Sequence, residues 1–354
     1  MKKNIYSKLM NPCVVKKINN KYFVIYSYCT GYYYLLSNYY LDNILYTQSQ
    51  IYDIDADLWR VCEHNAINPN TIKDLSVFNS PIVMGMMISN CCNLDCSYCI
   101  ALHANSYSIN NYLLDDMEEI VSRIQMSNVV GLLLSGGEPT LNMRLPVFID
   151  KIAQGDFLCE LDTNGVYLSE EICQLLKTKW VVPRISLDSI QEDIHNSVRG
   201  RFEETYQNVT QLLNNGVDFR INTVLHNFNK DCIFDLAEWI SRNNIQKWHI
   251  YRLQEAYAPY SLHMNDIEAN NILKLLKIKY KDKIDIICKF SLKKDGFASF
   301  MIDSEGTCFS TRGKEKIYFG NIFYENISEI WRKTPQQFKI NHLNKFLYFK
   351  EKTV

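Results

Sequence analysis

The stretch "SNCCNLDCSYCIA" at residues 89–101 places four cysteines within nine positions. Such a cluster can form disulfides, bind a metal ion or hold an iron–sulfur cluster. A structural zinc site commonly draws its four ligands from two paired motifs, and the second pair is absent here. Three thiolates suit an iron–sulfur cube that leaves one iron open to a small chelating molecule. The four residues are Cys91, Cys92, Cys96 and Cys99.

Composition limits the classes of protein that this chain of 354 residues can represent. Hydrophobic residues make up 47%, enough for a large core, and the net charge of −1 gives no overall attraction to nucleic acid or to an anionic membrane. The first residues lack the apolar run of a signal peptide, and no stretch reaches the roughly 18 apolar residues of a membrane helix. We therefore expect a cytoplasmic protein with no membrane partner, whose scattered cysteines are buried apolar residues rather than disulfides.

The middle of the chain, about residues 79–255, alternates apolar runs of strand length with helical patterns. Parallel strands need crossover helices, so six such repeats predict an α/β fold, a partial (β/α)6 barrel. Chemistry in such barrels collects at the carboxyl ends of the strands, and the cysteine stretch follows the first run. The strand-like runs are 82–89, 129–135, 157–163, 182–188, 217–225 and 247–253, and the helical patterns are about 114–126, 143–153, 169–178, 202–215 and 231–242.

The cysteine spacing resembles the signature of the radical SAM superfamily, C-x3-C-x-aromatic-C on the loop after the first barrel strand. Here Cys92, Cys96, Tyr98 and Cys99 match it. Supporting motifs end the next strands: "LSGGEP" (134–139), "LDTNG" (161–165) and "ISLDS" (185–189). "DIHNSVRG" (193–200) is similar to a segment of the peptide-modifying branch.

The resemblance implies one [4Fe–4S] cluster, ligated by Cys92, Cys96 and Cys99, whose fourth iron is chelated by S-adenosylmethionine (SAM). Cys91 falls outside the pattern, which indicates a packing residue. The GGEP turn is expected to receive the SAM ammonium, and a hydroxyl plus a carboxylate at the end of the fourth strand suits its ribose. A charge-assisted pairing suits its carboxylate. The cofactor-binding residues predicted in this way are Tyr98, Gly136, Gly137, Glu138, Ser186, Asp188 and Arg199, with Asn222, Thr223, Tyr251 and Leu253 as weaker candidates.

The resemblance also implies an activity. The reduced cluster cleaves SAM into methionine and a 5′-deoxyadenosyl radical, which abstracts a hydrogen atom from the substrate. We expect this substrate to be a ribosomally synthesised precursor peptide that is cross-linked, epimerised or modified in a related way. A low-potential donor such as flavodoxin or ferredoxin would supply the electron. Two alternatives stay open: radical chemistry on a small molecule (a sugar or aminoglycoside alcohol) or on tRNA, and a catalytically silent binding protein.

Residues 1–78 are predicted to form a small α+β unit. Two β-rich runs (21–27 and 31–37) precede two helices, which Asn38 and Asp55 could cap. The unit resembles the winged-helix-like domains that hold the leader of a precursor peptide by adding it to a sheet edge. A cover for the barrel is the alternative. Six lysines before residue 22 suggest nucleic acid, but no aromatic–basic binding motif accompanies them, so we do not expect that partner.

Residues 256–354 begin with an amphipathic helix near 266–281 and include "GNIFYENISEIW" (320–331), which resembles the ending of SPASM or twitch domains. Aligning the family pattern places Lys293 and Thr311 where two cluster-binding cysteines are usual. We therefore expect a SPASM-like extension without an auxiliary cluster. A redox-neutral outcome such as epimerisation then becomes more plausible, with Cys308 and Cys288 as candidate hydrogen donors; core packing is the other interpretation for both.

Overall fold

The computed structural model describes residues 13–27, 32–40, 62, 64–100, 116–152, 157–178, 181–289, 298–312 and 315–348. Most of the two helices predicted after Asn38 and Asp55 lies outside these residues, as does Lys293. Nowhere in the described ranges is there a helix with the length and apolar character needed to cross a membrane.

The chain forms two sheets. The smaller sheet has the order β1-β2-β3-β14, with antiparallel pairs except for β3 and β14, which run parallel. Its strands are β1 (Cys13–Lys17), β2 (Tyr22–Ser27), β3 (Tyr33–Ser37) and β14 (Leu347–Tyr348).

The larger sheet has ten strands in the order β10-β9-β8-β7-β6-β5-β4-β11-β12-β13. From β10 to β11 all neighbours are parallel, and β12 and β13 then add an antiparallel hairpin. The strands are β4 (Val83–Ser89), β5 (Gly131–Gly136), β6 (Leu158–Thr163), β7 (Val181–Ser186), β8 (Arg220–Leu225), β9 (Lys247–Arg252), β10 (Asp285–Lys289), β11 (Phe300–Ile302), β12 (Thr307–Arg312) and β13 (Glu315–Asn321).

The six predicted barrel strands are present as β4 to β9, which confirms the predicted α/β class. The parallel pairing of two further strands with this sheet was not predicted. β10 extends the sheet beyond β9, and β11 returns to pair with β4 on the other side. Strands on both sides of residue 255 therefore belong to one sheet.

Helices cover one face of this sheet. In α1, apolar residues recur at the spacing of one helix face, at Met117, Ile120, Val121 and Ile124, and all four are buried. They share one large cluster with alternate residues of the strands. The helices are α1 (Met117–Gln125), α2 (Leu145–Ile152), α3 (Glu170–Thr178), α4 (Glu192–Asn196), α5 (Phe202–Asn214), α6 (Ile233–Arg242), α7 (Asp266–Lys279), α8 (Ile327–Lys333) and α9 (Gln336–Phe346).

The small sheet packs against the amino ends of the barrel strands. Val83 and Leu158, near the starts of β4 and β6, share a buried cluster with Val24 and Tyr33. The contact is close at Gly131, where an added Cβ would lie 2.1 Å from the Tyr33 hydroxyl oxygen. Glycine is therefore required at the start of β5, and the N-terminal unit closes the end of the barrel opposite the cysteine loop.

A buried histidine near the end of the described chain supports the start of the first barrel strand. His342 of α9 is fully buried; its Nε2 accepts a hydrogen bond from the Ile82 amide at 3.1 Å, and its Nδ1 lies 2.8 Å from the Ala298 carbonyl oxygen. A neutral imidazole that donates from Nδ1 satisfies both contacts. Burial lowers the pKa of His342 to about 3.

This burial predicts a pH dependence of stability. Below a pH of about 6.5 the unfolded chain protonates His342, whereas the folded chain keeps it neutral down to about 3, so stability falls as the pH falls. Between pH 7 and pH 5, wild type should lose about 2 kcal/mol more of its free energy of unfolding than His342→Gln does, measured by urea titration. His64→Gln, at an exposed position, serves as the control and should follow wild type. Equal losses in all three proteins would contradict the assignment.

Candidate active site at the cysteine loop

The cysteine loop begins where β4 ends, at the carboxyl edge of the parallel strands. Cys92, Cys96 and Cys99 all contact one small apolar cluster that includes Leu94 and Val166. Burial raises the pKa of the Cys92 thiol, and it raises that of Cys96 to about 11. The thiols of Cys92 and Cys96 are therefore protonated in the absence of a metal, and metal binding would release their protons.

The turn after β5 crosses this loop at close range. The Gly137 amide donates to the Ser89 carbonyl oxygen at 2.6 Å, and the Glu138 amide donates to the Cys91 carbonyl oxygen at 2.7 Å. A Cβ on Gly137 would lie 2.2 Å from that same Cys91 oxygen. Gly136 has a φ of 128°, which favours glycine. The two glycines are thus needed to bring the turn against the cysteine loop.

Glu138 joins three segments. Its side chain is 1% exposed, and its Oε1 accepts from the Thr140 hydroxyl at 2.7 Å and the Thr163 hydroxyl at 2.6 Å. Its Oε2 accepts from the Asn164 amide at 2.7 Å. Burial raises the pKa of Glu138, against the effect of these hydrogen bonds. The carboxyl group therefore holds β5 and β6 together next to the cysteines.

Asn164 was not predicted as a site residue, although it lies in the "LDTNG" motif. Its side-chain nitrogen donates to Asn93 Oδ1 at 2.7 Å and lies 3.9 Å from Cys92 Sγ. Its Oδ1 accepts from the Val166 amide at 2.9 Å. Asn164 therefore connects β6 to the cysteine loop, a role that the sequence pattern alone does not reveal.

Asp188 follows β7 and is fully buried. Its carboxylate accepts from Arg199 Nε at 2.8 Å, from the Val224 amide at 2.9 Å and from the Tyr98 hydroxyl. Burial on its own would raise the pKa of Asp188, but Arg199, His226 and His195 together outweigh it and the net pKa is lowered. Ser186 lies half-buried at the end of β7. Tyr98, Asp188 and Arg199 are therefore brought together with the cysteine loop.

The two candidate hydrogen donors lie elsewhere. Cys308 belongs to the apolar cluster between sheet and helices, and Cys288 packs against the same cluster. Seven strands separate β10, which carries Cys288, from β12, which carries Cys308. Burial raises the pKa of both thiols. Both side chains pack on the side of the sheet that the helices cover, which favours core packing for both.

The four weaker candidates for cofactor binding differ in their contacts. Thr223 donates its hydroxyl to the Leu187 carbonyl oxygen at 2.6 Å and belongs to the framework. Asn222 donates to Asp162 at 2.9 Å, and its buried Oδ1 has no hydrogen-bond partner in the described part of the chain. Tyr251 is half-buried on β9, and Leu253 packs against Tyr98.

The donor set of the loop can be tested against an iron–sulfur cube. In the described ranges no three His, Cys, Asp or Glu side chains are arranged to hold a single metal ion. A cube does not require that arrangement, because it places each thiolate on a different iron. Three thiols around one apolar cluster fit a cube with one open iron better than a hard cation, which prefers oxygen ligands.

Comparison with known proteins identifies related sequences. Residues 86–240 match the family model of the Radical SAM superfamily. A GTP 3′,8-cyclase of Clostridium perfringens is 32% identical over 162 residues, 44% of this chain and 50% of the relative. The subtilosin biosynthesis protein AlbA of Bacillus subtilis is 24% identical over 166 residues, 46% of this chain and 37% of AlbA. The chain therefore spans half or less of the length of these relatives.

The fold is similar over a longer stretch to a solved structure. SuiB of Streptococcus suis, bound to the precursor peptide SuiA, gives a TM-score of 0.68 over 93% of this chain and 90% of SuiB, at 13% identity. This likeness confirms the predicted fold. The family match confirms a radical SAM domain over residues 86–240, and the radical SAM family uses a [4Fe–4S] cluster and SAM.

The close approach at Gly137 predicts that Gly137→Ala displaces the cysteine loop. Overpacking of this kind costs about 1–3 kcal/mol, so we expect severalfold less iron per chain after anaerobic reconstitution. Gly216→Ala is the matched control, because its φ of 64° disfavours alanine but its Cβ would meet open space. Iron loading of Gly137→Ala equal to that of Gly216→Ala would contradict the prediction.

Proposed function

Because this chain carries a radical SAM domain in residues 86–240, we propose that it is an enzyme that cleaves SAM reductively and abstracts hydrogen from a ribosomally synthesised precursor peptide. Bound together, the [4Fe–4S] cluster and SAM supply a 5′-deoxyadenosyl radical. The protein holds these groups, orients the substrate and excludes water. One observation carries the proposal: the cysteine loop, the glycine turn and the segment containing Asp188 and Arg199 converge at the carboxyl ends of neighbouring strands.

In this proposal, different residues bind different parts of the cluster and of SAM. Cys92, Cys96 and Cys99 ligate three irons. The turn at Gly136 to Glu138 receives the SAM ammonium, since it already lies against the loop. Arg199 would bind the SAM carboxylate through its Nη1, which makes no hydrogen bond among the described residues. Ser186, half-buried at the end of β7, binds the ribose.

The inner face of the sheet supports an uncharged substrate group. Arg184 makes two hydrogen bonds of 2.6 Å to Asp162 and one of 3.0 Å to Glu160. Arg220 contacts Glu160 and donates to the Tyr26 hydroxyl oxygen at 2.7 Å. Two guanidiniums thus balance two carboxylates on β6, β7 and β8. A triphosphate needs unpaired cations, and these two arginines are already neutralised by their partners, so neither offers a free charge to such a substrate.

The similarities divide between these two substrate classes. SuiB was solved with a precursor peptide, and AlbA is a subtilosin biosynthesis protein. A nucleotide is the second candidate, favoured by the 32% identity to a GTP 3′,8-cyclase. We rank the peptide first because the likeness to SuiB extends over 93% of this chain, whereas that to the cyclase extends over 44%.

The N-terminal sheet is the proposed holder of the peptide leader. Its edge beside β3 is covered, because Tyr33 and Tyr34 pair with β14 and the Leu35 carbonyl accepts from the Ile67 amide at 2.9 Å. At the opposite edge, β1 pairs with β2 alone in the described part of the chain. We therefore assign strand addition by a leader to β1. A low-potential protein such as flavodoxin or ferredoxin remains the proposed electron donor.

Iron analysis tests the cluster assignment. After anaerobic reconstitution, wild type should hold about four irons per chain and form 5′-deoxyadenosine from SAM. The variant Cys92→Ala/Cys96→Ala/Cys99→Ala should hold almost none and form no product, because three ligands are lost. Cys91→Ala is the control and should behave as wild type. About four irons surviving in the triple variant would instead reveal an auxiliary cluster, and zinc in place of iron would refute the radical chemistry.

Substrate class is tested with the reconstituted enzyme, SAM and a reductant. A peptide encoded by a short reading frame next to this gene should change in mass or in residue configuration, whereas GTP should be recovered unchanged. Mass spectrometry of both substrates, together with 5′-deoxyadenosine measured per substrate consumed, gives the result. Conversion of GTP with the peptide untouched would reverse the ranking.

A further inference from the structure

We propose that Asp188 is a positioning residue that fixes the cysteine loop through Tyr98 and orients Arg199, rather than a ligand of the SAM ribose. Asp188, Tyr98 and Arg199 are called the Asp188 clamp below. The hold on the loop is independent of the proposed function, whereas the role of Arg199 toward SAM rests on it.

Tyr98 lies between two of the cluster-binding cysteines, and it ties the loop to the segment after β7. Its hydroxyl donates to Asp188 Oδ2, and its ring lies 5.3 Å from the Arg199 guanidinium carbon. A backbone hydrogen bond beside Tyr98 joins the loop to the same region: the Ser97 amide donates to the Val198 carbonyl oxygen at 3.0 Å. The ring also packs with Val198 and Leu253. Moving Asp188 would therefore move the loop between Cys96 and Cys99.

The Asp188 carboxylate has no acceptor site left for a ribose hydroxyl. A carboxylate offers about four lone-pair sites. Oδ1 accepts from the Val224 amide at 2.9 Å and faces Arg199 Nη2 at 3.5 Å, while Oδ2 accepts from Arg199 Nε at 2.8 Å and from Tyr98. His226 Nε2 lies 3.9 Å from Oδ2, and the residue is fully buried. Hydrogen-bond donors of the protein therefore occupy the acceptor sites of the Asp188 carboxylate.

The same contacts orient Arg199. Its side chain is almost fully buried, and Asp188 fixes the guanidinium at Nε and Nη2. Nη1 is left for a ligand at the carboxyl edge. A buried, hydrogen-bonded ion pair of this kind restricts the orientation of the guanidinium more than it adds stability. Asp188 thus acts through its two partners.

Hydrogen exchange of the protein without a cluster tests the clamp directly. Tyr98→Phe removes one hydroxyl and leaves the ion pair intact, so the fold should survive. We expect exchange of a peptide containing the Ser97 amide to accelerate about tenfold or more, as for a lost hydrogen bond to a charged group. Tyr206→Phe is the matched control, since its hydroxyl accepts from Trp239 Nε1 at 3.2 Å away from the loop.

Iron release from the reconstituted protein to a chelator, in the absence of SAM, is the second measurement. Tyr98→Phe and Asp188→Asn should each release iron about tenfold faster than wild type. The double variant should release it little faster than either, because both substitutions break the same contact between Tyr98 and Asp188. Unchanged exchange and unchanged iron release in Tyr98→Phe would overturn the proposal. So would an Asp188→Asn variant that keeps both rates and only weakens SAM binding in equilibrium dialysis.

These outcomes separate the clamp from the proposed function. If Asp188→Asn does not fold, because it leaves the Arg199 charge buried and unpaired, Tyr98→Phe alone decides. If wild type binds no iron, the proposed function fails, and exchange at Ser97 still decides whether the clamp holds the loop.

Discussion

The candidate site depends on the shared direction of eight neighbouring strands, from β10 to β11. Parallel strands deliver their carboxyl ends to one edge of a sheet, so segments that are far apart in sequence meet there. The cysteine loop after β4, the glycine turn after β5, Asn164 after β6 and Asp188 after β7 are brought together by this constraint. Their short contacts, such as that between Gly137 and Ser89, fix the loop before any cofactor binds.

The N-terminal sheet covers the opposite edge of the large sheet, at the amino ends of its parallel strands. The N-terminal sheet places Tyr26 and Tyr33 under the barrel strands, and Tyr26 takes part in the ion-pair network through Arg220. Buried charges survive there only because each guanidinium meets a carboxylate. Polar residues on the inner face and apolar residues on the helix face thus give the sheet two distinct sides.

The sequence predicted the parts that local patterns encode. Six apolar runs and the spacing of Cys92, Cys96 and Cys99 were enough for the fold and the expected cluster ligands. The partners of Asp188 could not be predicted, since Tyr98 lies 90 residues away and the contact depends on folding. The sequence suggested that Asp188, a carboxylate at a strand end, binds the ribose of SAM. The structure shows that Tyr98, Arg199 and the Val224 amide already donate to it. β14 has two residues and therefore no periodicity. Cys308 lies between Thr307 and Phe309 in the sequence, and only its packing in the folded protein showed that it faces the helices.

The pairing of β14 with β3 has a consequence for the order in which the molecule is made. Tyr33 and Leu347 are partners although 314 residues separate them along the chain. At a synthesis rate of about 5–20 residues per second, the first strands wait roughly 15–60 s for this partner. Meanwhile the barrel can assemble from its sequential βα units, whose contacts are more local. The N-terminal sheet is thus completed only after α9 and β14 have left the ribosome, so its edge beside β3 stays uncovered by β14 until then.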